Sequence, residues 1–266
     1  MKGFKLVFNE HKNNIRNIFD MALKDLKKEY SGTVIGFAWG VLKNLIYVGA
    51  YWFAIEIGLK GSKNVGYPYM AWLVAGLGAW FFIKDTLVPA AKSIRKNKFL
   101  VTKMIYPVSI IPTFKVLSAF ISSLMFLPII VIILLSNGVA VDIHWIQVFY
   151  YQIALMLLMM GISWLTSALV VVSRDIEMLI NSTVFVLFWI SPILFPATNL
   201  KGNLGFMMKL NPFYYVIEGF RASFLYGQWF WERPALTSYF WMFVLLTMII
   251  GSFVHSRLRN QFVDVL

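Results

Sequence analysis

Six apolar runs, each close to the length of a helix that crosses a bilayer, constrain this chain more than any other feature. A span needs about 20 mostly apolar residues, rising 1.5 Å each, to cross roughly 30 Å of hydrocarbon. The segments 34–59, 69–90, 108–135, 146–172, 179–195 and 236–255 qualify. Because backbone groups in lipid must bond within their own segment, helices are the expected form. Composition agrees: 59% of the 266 residues are hydrophobic, 14% are charged and the mean hydropathy is +0.71, outside the soluble globular range. The predicted fold class is therefore all-α integral membrane, a single transmembrane domain over residues 1–266. Ser191-Pro192 predicts a break near the outer end of the fifth span.

The formal net charge of +12 is a matter of topology rather than nucleic-acid binding, because the cations gather at the ends of apolar runs. Lys2, Lys5, Lys12, Arg16, Lys24, Lys27 and Lys28 precede the first span, Lys92, Arg95, Lys96, Lys98 and Lys103 follow the second, Arg174 follows the fourth, and Arg257 and Arg259 close the chain. Fewer lie on the other side, at Lys60, Lys63, Lys201, Lys209, Arg221 and Arg233. The positive-inside rule then predicts that both termini are cytoplasmic. The absence of cysteine rules out disulfides and thiolate metal sites. The first thirty residues are charged throughout and do not read as a cleavable signal peptide.

Two segments outside the spans are amphipathic. In residues 1–33, Ile15, Ile18, Phe19, Ala22, Leu23, Leu26 and Tyr30 recur at helical spacing, which predicts a helix lying along the inner interface, as an anchor, a lever or both. Residues 196–235 are too apolar for a solvated loop and too interrupted for two spans. They are expected to form short helices that dip into the outer leaflet and return. Asn211-Pro212 opens the second of these, with Pro at the favoured first helical position, and Glu218 and Arg221 are spaced to pair at i, i+3.

No catalytic constellation is legible. His11, His144 and His255 lie on separate connections, and the chain has no Gly-x-x-x-x-Gly-Lys-Ser/Thr loop. Any ATP-driven step needs another polypeptide to hold ATP and Mg²⁺. Lys43 lies deep in the first span and shares a face with Trp39, Tyr47 and Tyr51; this face either meets a substrate bearing sugars and phosphates, or packs while Lys43 snorkels or pairs internally. Glu56 and Asp85 are expected to be paired or solvated. Gly32, Gly36 and Gly40 have the small-xxx-small spacing of a close interhelical contact. The run Lys92–Lys103, with coupling loop bounds of 91–106, is either a positive-inside anchor or a short helix docking on a partner. "SRDIEM", from Ser173 to Met178, is too short to be a domain and is a candidate second contact point.

With those features in place, "YSGTVIGFAWG", "KMIYPVSIIPTF", "VSRDIEM", "SPILFP", "NPFYYVIEGFR" and "RNQFVDVL" together resemble the permease subunit of ABC-2 type polysaccharide exporters over essentially the whole chain. "SIIPT" and "QFVDVL" resemble the branch that exports wall teichoic acid from Gram-positive bacteria. The resemblance implies a homodimer in the cell membrane with two copies of a separate ATPase subunit, moving a polymer on a polyprenyl diphosphate from the inner to the outer leaflet. An O-antigen or capsular glycan is the alternative cargo, and a small-molecule exporter a more distant one. It also implies that Trp39, Lys43, Tyr47, Tyr51, Phe185, Phe188 and Trp189 line the path. Lys92, Arg95, Lys96, Lys98, Phe99, Arg174, Asp175 and Glu177 would couple to the ATPase, and Asn211, Pro212, Glu218 and Arg221 would shape the outer re-entrant helices. The family often has Asn-Pro in the first span; here Asn44 precedes Leu45.

Overall fold

A computed structural model describes residues 2–58, 66–102, 106–197 and 203–262, and every regular element among them is helical. Lys60, Lys63, Lys103, Lys201 and the closing Val263–Leu266 lie outside the described residues. Four helical stretches are long and apolar enough to cross a membrane: Tyr69–Ala91 (α4), Ile110–Ser136 (α7), Ile143–Val172, which holds α8 (Gln147–Val172), and Pro234–Gln261, which holds α12 (Pro234–Leu258). The first and fifth predicted spans are also helical but shorter. Ala38–Trp52 (α3) has 15 residues and runs into a π-helical turn, Phe53–Gly58, while Arg174–Ile190 (α9) has 17. At the α-helical rise these α-helical lengths are about 22 and 26 Å.

Residues 34–37 are turns rather than the start of a span, and the expected glycine ladder does not form. Gly32 and Gly36 have φ of +80° and +53°, a left-handed conformation that favours glycine and cannot continue a right-handed helix. Only Gly40 is used in packing, because a Cβ there would strike the Tyr30 hydroxyl. The close backbone approach lies elsewhere, between α8 and α12, where a Cβ on Gly251 would run into the carbonyl of Gly161. Small residues let membrane helices approach until their backbones touch, and these two elements pack extensively.

The amphipathic segment is two helices, Lys2–Asn13 (α1) and Ile15–Tyr30 (α2), hinged at Asn14. α2 is not simply laid on an interface. Its buried stripe, Ile18, Ala22, Leu26 and Tyr30, packs along the first half of α7, from Ile110 and Phe114 up to Ser122, which lies 3.5 Å from the Tyr30 hydroxyl. Ile15 and Phe19 remain exposed, so the apolar face is divided between protein and surroundings. α1 packs on α12. Its Glu10 accepts hydrogen bonds from Ser109 at the head of α7 and, at 2.8 Å, from Arg259 beyond α12.

The basic run forms two short helices, Ser93–Lys96 (α5) and Lys98–Thr102 (α6), rather than one, because Asn97 leaves helical geometry and turns its side-chain amide back to the Ser93 carbonyl. Between α9 and α12 come Asn203–Leu210 (α10) and Pro212–Arg221 (α11), then a π-helical turn, Ala222–Tyr226. α11 is buried almost throughout against α4 and α8.

Candidate functional site

Sequence motifs distant in the chain meet around Arg221, whose side chain is fully buried. Its guanidinium donates to Glu218 Oε1 at 2.6 Å, to the carbonyls of Pro192 and Ile193 at 2.5 and 3.0 Å, and to the Trp72 carbonyl at 3.2 Å. It also stacks 3.4 Å from the Trp72 ring centroid. A planar fork with five donors suits this site, where one side chain must satisfy carbonyls pointing from several directions. The carbonyls are available because α9 ends at Ser191, which takes extended backbone before Pro192. Gly76 on α4 makes room: a Cβ there would overlap the guanidinium. Asn211 completes the node, capping α11 by accepting from Phe213 N–H while its amide donates to Ser191 Oγ at 2.9 Å. Pro212 takes the first position of α11.

At the other end of the helices, Lys92, Arg95, Lys96, Lys98, Arg174 and Glu177 line one open groove of 590 Å³. Glu177 on the first turn of α9 pairs with Lys92 at 2.9 Å and Arg95 at 3.7 Å, which fastens the basic run to α9. Among the described residues Lys96, Lys98 and Arg174 form no ion pair, leaving the groove strongly cationic. Asp175 and Phe99 are exposed at its margin, and Asp175 N–H is capped by the Ser173 hydroxyl. Ile94, by contrast, is fully buried and plugs α5 into the cluster that holds α2 and α7.

The candidate path residues divide. Lys43 is bound internally, 3.0 Å from Asp85 on α4 and 4.0 Å from Glu29 on α2. Lys115 on α7 extends this network to Asp25 at 2.8 Å and Glu29 at 3.5 Å. A charge inside a membrane protein needs such partners. Lys43 therefore does not present a free counter-charge to the aromatic face. Glu56 makes no ion pair among the described residues. Tyr47 carries a different cation, the Lys84 ammonium 3.9 Å above its ring. Phe188 is only 7% exposed, stacked on Tyr51 at 5.0 Å and packed on Trp80, so it joins α9 to α3 and α4. Trp39, Tyr47, Phe185 and Trp189 remain exposed on α3 and α9.

Sequence reading missed the α2 carboxylates in this network. Asp25 and Glu29 stand one turn apart beside the buried Leu26, a placement that signals a partner cation. It also missed Trp72, whose apolar neighbours gave no sign of a guanidinium above its ring.

The ABC-2 type transporter family model matches residues 16–225, a run that extends from α2 through α11 and contains the cationic groove and the Arg221 node. Two O-antigen export system permease proteins (RfbA) of Klebsiella pneumoniae are each 24% identical over 261 residues, covering 96% of this chain and 98% of the relative. A protein of the same description from Myxococcus xanthus is 20% identical over 250 residues, covering 93% and 94%.

Proposed function

We infer, from the premise that this chain belongs to the ABC-2 type transporter family, that it is the membrane permease subunit of a polysaccharide exporter. The carrying observation is the full-length similarity to O-antigen export permeases. In this reading α3 and α9 join the four long helices as the first and fifth of six spans, both termini face the cytoplasm, and two copies of the chain assemble with two copies of a separate ATPase. The cargo is an O-antigen type glycan on a polyprenyl diphosphate, carried from the inner to the outer leaflet.

The wall teichoic acid expectation takes second place because the full-length similarity is to O-antigen export permeases. Of the residues behind that expectation, three are used inside the fold: Ser109 donates to Glu10, Thr113 meets both His11 and the Trp164 indole, and Phe262 is fully buried beside His255.

Chemically, this chain's task is to transmit rather than to react. ATP binding on a partner shifts the permease between two arrangements only if the partner's contacts differ between them. The cationic groove is the surface suited to such contacts, since Lys92 and Arg95 link α5 to α9 through Glu177. The test is ATP turnover by the co-purified complex in nanodiscs, with a neutral glycan or an anionic teichoic polymer on the lipid carrier. Stimulation by the neutral glycan supports the O-antigen type reading, and stimulation by the anionic polymer alone favours the teichoic one. Turnover that ignores both overturns the exporter reading.

A further inference from the structure

The connection between α11 and α12 carries a second aromatic feature, distinct from the α3–α9 face and from the Arg221 node. After Gly227, which turns the chain with φ +58°, three consecutive aromatic residues alternate in direction. Phe230 points inward and stacks on Tyr150 at 4.1 Å. Trp229 and Trp231 flank it and stack on each other, with centroids 4.6 Å apart and planes within 9°. Trp231 is 56% exposed.

This loop is held firmly. The buried Gln147 side chain donates to the Gln228 carbonyl and accepts from Phe230 N–H, and Thr237 donates to the Phe230 carbonyl at 2.8 Å. The Glu232 carboxylate folds back to accept from Trp229 N–H at 3.2 Å. Hydrogen-bonding groups surround the rings. His144 lies 4.6 Å from the Trp229 ring and pairs with Asp142 at 2.8 Å, and the carboxylates of Asp142 and Glu232 are open to their surroundings. The His144 ring beside Asp142 holds its carboxyl below the usual range, so it is an acceptor at neutral pH. Asp142 also lines a 400 Å³ pocket with Tyr67, Asn137 and Gly227.

A pyranose offers a face of weakly positive C–H bonds and a rim of hydroxyls. The first matches the negative face of an indole, and the second matches carboxylate and imidazole acceptors. Tryptophans that merely anchor a protein at a bilayer surface require neither mutual stacking nor a collar of carboxylates. We propose that Trp231, backed by Trp229 and with Asp142, His144 and Glu232 around the pair, stacks on a sugar ring of the exported glycan at the end of the molecule opposite the cationic groove. The proposal rests on the exporter reading for its cargo. A rigid stack loses little entropy on binding and, being tolerant of sugar type, holds each passing unit weakly.

The experiment is saturation-transfer NMR on the ATPase-bound complex in nanodiscs, using methyl galactoside, glucoside and mannoside and maltohexaose as probes. We expect transfer to ring C–H protons of at least one probe, weakened at least five-fold in Trp231→Ala and largely retained in Trp231→Phe. Absence of transfer to every probe, or equal transfer in Trp231→Ala, overturns the platform. So does quenching of Trp231 by brominated lipid, read as the difference between the wild type and Trp231→Phe, which would show the ring facing the bilayer. ATP turnover with lipid-linked glycan, measured on the same sample, reports separately on the exporter reading.

Discussion

Arg221 shows how much of this molecule depends on single side chains. Breaking a buried charge network by removing one partner costs roughly 3–5 kcal/mol, and Arg221→Met leaves Glu218 and the carbonyls of Pro192 and Ile193 without their donor. We expect a fall in melting temperature of about 6–20 °C in detergent, taking roughly 2–4 °C per kcal/mol. Arg221→Lys should recover only part of it, because an ammonium lacks the planar fork; full recovery would count against the geometry. His11 supplies a pH dependence. Its Nδ1–H donates to the Val7 carbonyl at 2.7 Å while Nε2 accepts from Thr113, an arrangement that suits the neutral ring, and burial lowers its pKa from 6.5. The unfolded or undocked ring therefore takes up its proton first as pH falls through 6.5, and α1 docking weakens below that value. Hydrogen-exchange protection factors across Lys2–Asn13, taken relative to the intrinsic rate at each pH, should fall on acidification and lose that dependence in His11→Gln. Of these residues, the Glu218–Arg221 spacing was legible in sequence because i, i+3 is local. The carbonyls that Arg221 also binds were not, since a backbone acceptor leaves no mark on residue identity.

Among elements, the joint between α5 and α9 makes the sharpest prediction. Reversing Lys96 and Lys98 to Glu removes exposed charge without touching the Lys92–Glu177 pair, so the fold should hold while ATPase co-purification drops several-fold. An unchanged yield of complex would show that the groove is not the docking surface. The contact of α8 with α12 is stricter. Gly251→Ala places a methyl against the Gly161 backbone, an overpacking that costs about 1–3 kcal/mol and should appear as a lowered melting temperature. Hydropathy located the long helices, because length and apolarity are properties of the segment itself. It failed at α3, where left-handed Gly32 and Gly36 delay the helix to Ala38, and at α2, whose stripe reads the same whether it meets lipid or α7.

For the whole molecule, the absence of cysteine permits a direct test of sidedness. A cysteine at Lys98 should be labelled by an impermeant maleimide only from the cytoplasm, and one at Trp231 only from outside; labelling of both from one side would overturn the six-span arrangement. The sequence indicated two ends of opposite character through its cation distribution. Nothing in it indicated that α1 meets the segment that follows α12. The Glu10–Arg259 bond joins residues 249 positions apart, which has a consequence for biosynthesis. At synthesis rates of about 5–20 residues per second, Glu10 waits roughly 12–50 s for its partner. During that interval α1 lacks the helix on which it packs, and the ribosome still holds the segment that will receive it. The α1–α12 contact thus forms only after α12 has been made, later than the contacts of Glu10 and His11 with α7.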